Sequence, residues 1–217
     1  MLTPDEISEN LADVRRRIEH AGGDPDTLTV LAVSKTFAAA DVTTALEAGL
    51  RVFGENYAAE LLEKAAALAG TEASWHYLGA IQTNKVAHLA PVTTCFQGLS
   101  RGREASEIAR RAPGAQVMVQ VDFTGRAGRG GVAPEEVAAL VEDARALELE
   151  VRGLMTVAPQ GVDEARVAFA RVRALADELE LVERSMGMSD DLELAVAEGS
   201  TMIRIGRALF GPREARA

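Results

Sequence analysis

Leu28-Thr-Val-Leu-Ala-Val-Ser-Lys35 is a run of aliphatic and β-branched residues that ends in a primary amine. A short run without polar alternation reads as a strand buried on both faces, as in a parallel sheet. Seven more runs follow, at 52–55, 75–81, 93–99, 116–123, 151–157, 183–187 and 202–205. Helical segments lie between them, among them 39–48, 56–69, 101–111, 134–148 and 162–180. In the last of these, Val162, Ala165, Phe169, Val172, Ala176 and Leu179 recur at three- and four-residue steps, the stripe of a helix that covers a sheet. Strict alternation calls for parallel strands joined by right-handed crossovers. Eight such units predict an α/β fold, a single-domain (β/α)8 TIM barrel over residues 1–217, with a doubly wound open sheet as the alternative.

An extra helix precedes the first strand. Thr3 is placed as its N-cap, Pro4 at its first position and Glu6 to complete a capping box, with Ile7, Leu11, Val14 and Ile18 on one face and Gly22-Gly23 after its end. Arg15-Arg16-Arg17 reads as a solvated face of that helix.

Composition narrows the function classes. Hydrophobic residues make up 47% and charged residues 26% of the 217, the balance of a globular protein. No stretch is apolar enough to span a bilayer, and Met-Leu-Thr-Pro-Asp-Glu lacks the pattern of a secretion signal, so a cytoplasmic chain with no membrane partner is expected. The one cysteine, Cys95, has no partner for a disulfide or a metal site and reads as a small buried hydrophobe. A net charge of −10 and a pI near 4.9 make nucleic acid a poor partner, and any anionic ligand must be held locally.

A barrel places its chemistry at the C-terminal ends of the strands, where Lys35, Asn56 and Arg204 fall. Lys35 is either the solvated start of a loop or, if buried, an amine of lowered pKa able to attack an aldehyde. Ser185-Met-Gly-Met-Ser189 leads toward a helix over 190–198, and Arg204-Ile-Gly206-Arg207 toward the final helical segment. Loops after the seventh and eighth strands are the usual phosphate site of this barrel. Ser189 is thus either a helix cap or a phosphate ligand, and Gly206 either a tight turn or a point of close approach to an anion. Arg204 forms a salt bridge or points toward the same space. His76, on an apolar run, reads as a core histidine before a base. Gly125-Arg-Ala-Gly-Arg-Gly-Gly131 lacks the spacing of a phosphate loop and reads as a mobile connection.

Ala32-Val-Ser-Lys35, Phe53-Gly-Glu-Asn-Tyr57, Trp75-His-Tyr-Leu-Gly79 with Gln82-Thr-Asn-Lys85, Gly153-Leu-Met-Thr156, Ser185-Met-Gly-Met-Ser189 and Gly199-Ser-Thr-Met-Ile-Arg-Ile-Gly206 together resemble the pyridoxal phosphate homeostasis protein family, in order and over nearly the whole chain. The resemblance implies a barrel like the N-terminal domain of alanine racemase, with pyridoxal 5'-phosphate held as a Schiff base on Lys35. It further implies cofactor contacts from Asn56, Arg204 facing the pyridine nitrogen, and Ser189 with the backbone at Gly206 and Arg207 at the phosphate. The chain departs from the family's pattern at Arg207, where a small hydroxyl residue is usual, at Arg184, at Ala80 and across 120–131.

Two functions fit such a site. One is a cofactor-handling protein, expected as a monomer, that buffers pyridoxal phosphate or delivers it to apo-enzymes without turnover of its own. The other is an amino-acid racemase, which needs a second base on the opposite face of the substrate. In alanine racemases that base is a tyrosine of a further β domain, for which these 217 residues leave no room, and only Tyr57 and Tyr77 are present. The non-catalytic reading is therefore expected. A pure interaction module would leave the Lys, Arg and phosphate-type residues unexplained.

Overall fold

The computed structural model describes residues 2–126 and 128–211; residues 1, 127 and 212–217 of the expected domain lie outside that range. Strands β1 (Thr29–Val33), β2 (Val52–Glu55), β3 (Ser74–Tyr77), β4 (Cys95–Leu99), β5 (Gln116–Val121), β6 (Glu150–Thr156), β7 (Glu183–Ser185) and β8 (Met202–Ile205) form a closed barrel in sequence order. Every pairing is parallel, and β8 closes on β1 with Leu31 opposite Arg204. The open-sheet alternative is excluded by that last ladder.

Helix α1 (Pro4–His20) starts as expected: Thr3 N–H donates to Glu6 Oε2 at 2.7 Å and Glu6 N–H donates to Thr3 Oγ1 at 3.3 Å. Its apolar face buries Ile7, Leu11, Val14 and Ile18 against α2 (Ala39–Glu47), α8 (Leu192–Ala197) and α9 (Arg207–Phe210). Helices α3 (Ala58–Ala67), α4 (Thr83–Leu89), α5 (Gly102–Arg111), α6 (Val137–Ala146) and α7 (Val162–Glu178) complete the outer ring, with a 3-10 turn at Pro134–Glu136 opening α6.

Alternation along each strand splits the core in two. Outward residues such as Phe53, Phe96 and Val119 pack with the helices, whereas Leu31, Val33, Cys95, Met118, Met155 and Met202 fill the barrel interior. Burial pushes the Cys95 thiol up, so it stays a protonated, inert filler.

Several strands end earlier than their apolar runs, each at an identifiable turn. β1 stops at Val33 because Thr36 takes a left-handed conformation (φ 72°). β3 stops at Tyr77, before Gly79 packs so closely that a Cβ there would sit on the Asn56 carbonyl. β5 stops at Val121, where Asp122 accepts hydrogen bonds from the N–H groups of Thr124 (2.9 Å) and Gly125 (3.1 Å). All three turns lie at the C-terminal rim, where they set the shape of the mouth.

Candidate functional site

One cavity of about 510 Å³ opens at that rim, within the range of roughly 300–1,000 Å³ usual for small-molecule sites. Lys35, Asn56, Ser189, Arg204, Gly206 and Arg207 all line it, with Val33, Leu78, Met155 and Val157 as its apolar floor and walls. The chain has three lysines, at 35, 64 and 85. Of these, Lys35 alone lines the cavity, half-buried, while Lys64 is buried behind the barrel wall and Lys85 is exposed on α4.

Arg204 projects inward from β8 and is 5% exposed. Its Nη1 donates to Ser185 O (2.5 Å) and Ser185 Oγ (3.0 Å), and its Nη2 to Thr156 O (2.6 Å). These contacts use three of the five guanidinium N–H groups and leave the others for the cavity. Burial pushes its pKa down only to about 10, so it remains a cation at neutral pH.

The donors continue inward. Ser185 Oγ donates to Gln97 Oε1 at 2.7 Å, and Gln97 Nε2 lies 2.6 Å from His76 Nδ1. With Arg204 at one end donating, every bond in this line runs the same way, which makes Nδ1 of His76 the acceptor and puts its ring proton on Nε2. Burial pushes His76 down to about 4, so the ring is neutral. It is a buried brace under the site, as the sequence suggested, and not a base at its surface.

That brace carries a pH dependence. In the unfolded chain His76 takes a proton near its ordinary 6.5, whereas the folded ring stays neutral until about 4. The contribution is complete above the unfolded value and is lost as pH falls toward the folded one, by up to about 1.4 kcal/mol per pH unit. Urea unfolding of wild type and His76→Asn from neutral pH to about pH 4.5 should show the stability difference move by about 2 kcal/mol in the variant's favour. A difference that stays constant would rule this assignment out.

Ser189 is not the helix cap its position in sequence suggests. Asp190 and Asp191 intervene before α8, Asp191 stands at the cap position, and its carboxylate accepts the Met188 N–H at 2.5 Å. Ser189 Oγ instead accepts from the Ala208 N–H (3.4 Å), which joins the β7 loop to the start of α9. The Arg207 side chain, which stands where a small hydroxyl residue is usual, makes direct contact with the Asp190 carboxylate and bridges the same two loops. At Gly206 an added Cβ would meet the Val33 carbonyl at 3.3 Å, so the turn passes close to the strand that carries Lys35.

Arg17 also departs from its reading as part of a solvated face. It forms a bidentate pair with Glu193 (2.6 and 2.9 Å) and donates to the Ser189 carbonyl at 2.9 Å, so α1 braces this corner. The hydrogen bond to Glu193 raises the Arg17 pKa and lowers that of its partner. Arg184 lies below, donating through Nε to the Gly199 carbonyl at 2.7 Å. Asn84 and Gln82 do not reach the cavity; they line a separate polar basin with Arg101 and Arg103. The described C-terminal part of the 125–131 connection is bonded to the barrel. Gln120 Nε2 donates to Gly130 O (2.8 Å), Val132 bridges to Val121, and Arg129 Nη1 donates to Val157 O (3.2 Å) at the cavity rim.

A second polar group was not legible in advance. Ser34, Glu55 and Lys64 meet behind the wall that carries Lys35: Glu55 Oε1 accepts from Ser34 Oγ (2.7 Å) and Lys64 Nζ (2.5 Å). Burial pushes the Glu55 carboxyl up, opposed by Lys64 and Ser34. Its one sequence signal is a charge on an apolar stripe, since Lys64 falls in step with Ala58, Leu61 and Leu68.

The family model described as alanine racemase, N-terminal domain, matches residues 2–214. The pyridoxal phosphate homeostasis protein of Pseudomonas aeruginosa is 43% identical over 221 residues, covering 96% of each chain. That of Aquifex aeolicus is 36% identical over 96% of this chain and 97% of its own. PipY of Synechococcus elongatus, 34% identical, superimposes with a TM-score of 0.86 without PLP and 0.84 with PLP bound, over 94% of this chain and 100% of that one.

Proposed function

This chain belongs to the pyridoxal phosphate homeostasis protein family, and on that premise we propose that it holds pyridoxal 5'-phosphate reversibly as a Schiff base on Lys35 and buffers or delivers it without amino-acid turnover. The observation that carries the reading is the position of Lys35, the one lysine of three at the cavity, which it shares with Ser189, Arg204, Gly206 and Arg207. The donor set fits the cofactor: an amine for its aldehyde, a hydroxyl and the Gly206 turn for its phosphate, and a buried cation for its ring. When bound, the group supplies an electrophilic aldehyde on an electron-withdrawing ring. Lys35 would hold the group through that aldehyde, in a bond made with loss of one water and reversed by hydrolysis to amine and aldehyde.

Arg204 remains charged and would keep a pyridine nitrogen set against it unprotonated, which would weaken the ring as an electron sink. Racemisation would need a second base, and the described cavity-lining residues offer Lys35 and an Asp190 already engaged with Arg207. Tyr77 lies outside the barrel interior with its ring 6.4 Å from Phe96, and Tyr57 is 56% exposed. The proposal casts the chain as a cytoplasmic monomer that serves apo-enzymes using the cofactor; no described helix is long and apolar enough to cross a membrane.

Borohydride reduction of the loaded protein followed by peptide mapping tests the attachment, and the expected product is a fixed pyridoxyl group on Lys35. Incubation of the loaded protein with each L-amino acid in deuterated water tests the lack of turnover. Fixation on another residue would overturn the first part, and rapid exchange at the α carbon the second.

A further inference from the structure

The backbone on each side of Lys35 is held by α3. Glu60 and Lys64 lie one turn apart on that helix and face the same way. Glu60 Oε2 accepts the N–H of Thr36 at 2.7 Å, immediately after Lys35. Lys64 Nζ donates to the carbonyl of Ser34 at 2.7 Å, immediately before it. The same ammonium donates to Glu55 Oε1 (2.5 Å) and lies 3.4 Å from Glu60 Oε2, so its three donors are engaged.

Two features of this arrangement are costly. The Lys64 and Glu55 side chains are 4% and 0% exposed, and burying an ion pair commonly stabilises a fold no better than an apolar pair of the same size. Thr36 holds φ at 72°, a left-handed conformation that is unfavourable for a β-branched residue. Neither Glu55, Glu60 nor Lys64 lines the cavity. An apolar contact would dock α3 on the sheet equally well, whereas these hydrogen bonds converge on residues 34 and 36 and fix the segment whose middle residue is Lys35.

We propose that Glu60 and Lys64 are positioning residues for Lys35: they clamp the peptide on either side of it so that its amine projects into the cavity. The inference rests on the reading of Lys35 as the cofactor lysine. It also explains which amine reacts, because Lys64 is turned to the outer face of the wall, where it bonds Ser34, Glu55 and Glu60, and does not line the cavity.

The test compares Glu60→Ala, Glu60→Gln and Lys64→Met with wild type. Amide hydrogen exchange without cofactor, borohydride fixation at limiting pyridoxal phosphate, and the pH midpoint of the imine absorbance are read for each. Glu60→Ala should exchange Thr36 roughly tenfold faster, fix several-fold less cofactor on Lys35 and shift the imine midpoint. Glu60→Gln keeps an oxygen acceptor for the Thr36 N–H and should restore all three. Lys64→Met should lower fixation as well; if it fails to fold, the two half-buried Glu60 variants still decide the matter. Wild-type fixation on Lys35 with Glu60→Ala indistinguishable in yield and midpoint would overturn the clamp. No fixation on Lys35 in wild type would instead overturn the functional reading on which it stands.

Discussion

Lys35→Ala protein mixed with pyridoxal phosphate is expected to lose the imine absorbance band and all site-specific borohydride fixation, and to bind the cofactor roughly tenfold or more weakly, a loss of about 1.4 kcal/mol or greater. The size of the effect follows from the scarcity of other amines. Lys64 is committed to Ser34, Glu55 and Glu60, and Lys85 is exposed on α4 away from the cavity. Neither can replace Lys35 without rebuilding the wall. Removing the side chain leaves the Ser189 corner and Arg204 in place, because their bonds run to Arg17, Ala208, Ser185 and Thr156. The variant should therefore retain its unfolding midpoint and a weak, colour-silent affinity for the phosphate end. Titration by absorbance and by equilibrium dialysis separates covalent from non-covalent binding. An unchanged imine band would sink the assignment, and labelling seen only at large cofactor excess should map to exposed Lys85.

How far the sequence carried this picture depended on whether a signal was local. Strand runs and the α7 stripe are local patterns, and the barrel followed from their number and order. The cavity residues were legible because a barrel gathers strand ends at one mouth, which turns positions 35, 56 and 204 into neighbours without knowledge of any distance. Side-chain roles that depend on a partner elsewhere in the chain were less accessible. Ser189 reads as a cap or a phosphate ligand until Asp191 is seen to take the cap position, and the direction of the Arg207 side chain is open until Asp190 is found across from it. Gln97 and Ser185, 88 positions apart, meet only inside the closed barrel. The Glu55–Lys64 pair follows the same rule: each residue is unremarkable until β2 and α3 are packed, and then the charge on the apolar stripe has its explanation.

Arg204→Met should destabilise the cofactor-free protein by about 3 kcal/mol, the largest stability loss expected from a change in this site. Methionine fills similar volume but donates nothing, so the carbonyls of the buried residues Ser185 and Thr156 lose charge-assisted partners at 2.5 and 2.6 Å. The Ser185 hydroxyl keeps its bond to Gln97, so the loss falls on the β6–β7–β8 side of the barrel and spares His76. Arg204→Lys retains the charge but cannot span both carbonyls with one ammonium, and should cost about half as much. Charge reversal to glutamate is not a usable probe of the pyridine nitrogen, since a carboxylate would face two carbonyl oxygens and unfold the site. The lysine variant is the informative one. Urea midpoints without cofactor rank stability as wild type, Lys, then Met, and the absorbance of the loaded Arg204→Lys protein reports the ring nitrogen. A methionine variant with an unchanged midpoint would show that the guanidinium is not the strut between β6, β7 and β8. A lysine variant with lowered stability and an unchanged cofactor spectrum would leave the strut intact and remove the contact with the ring.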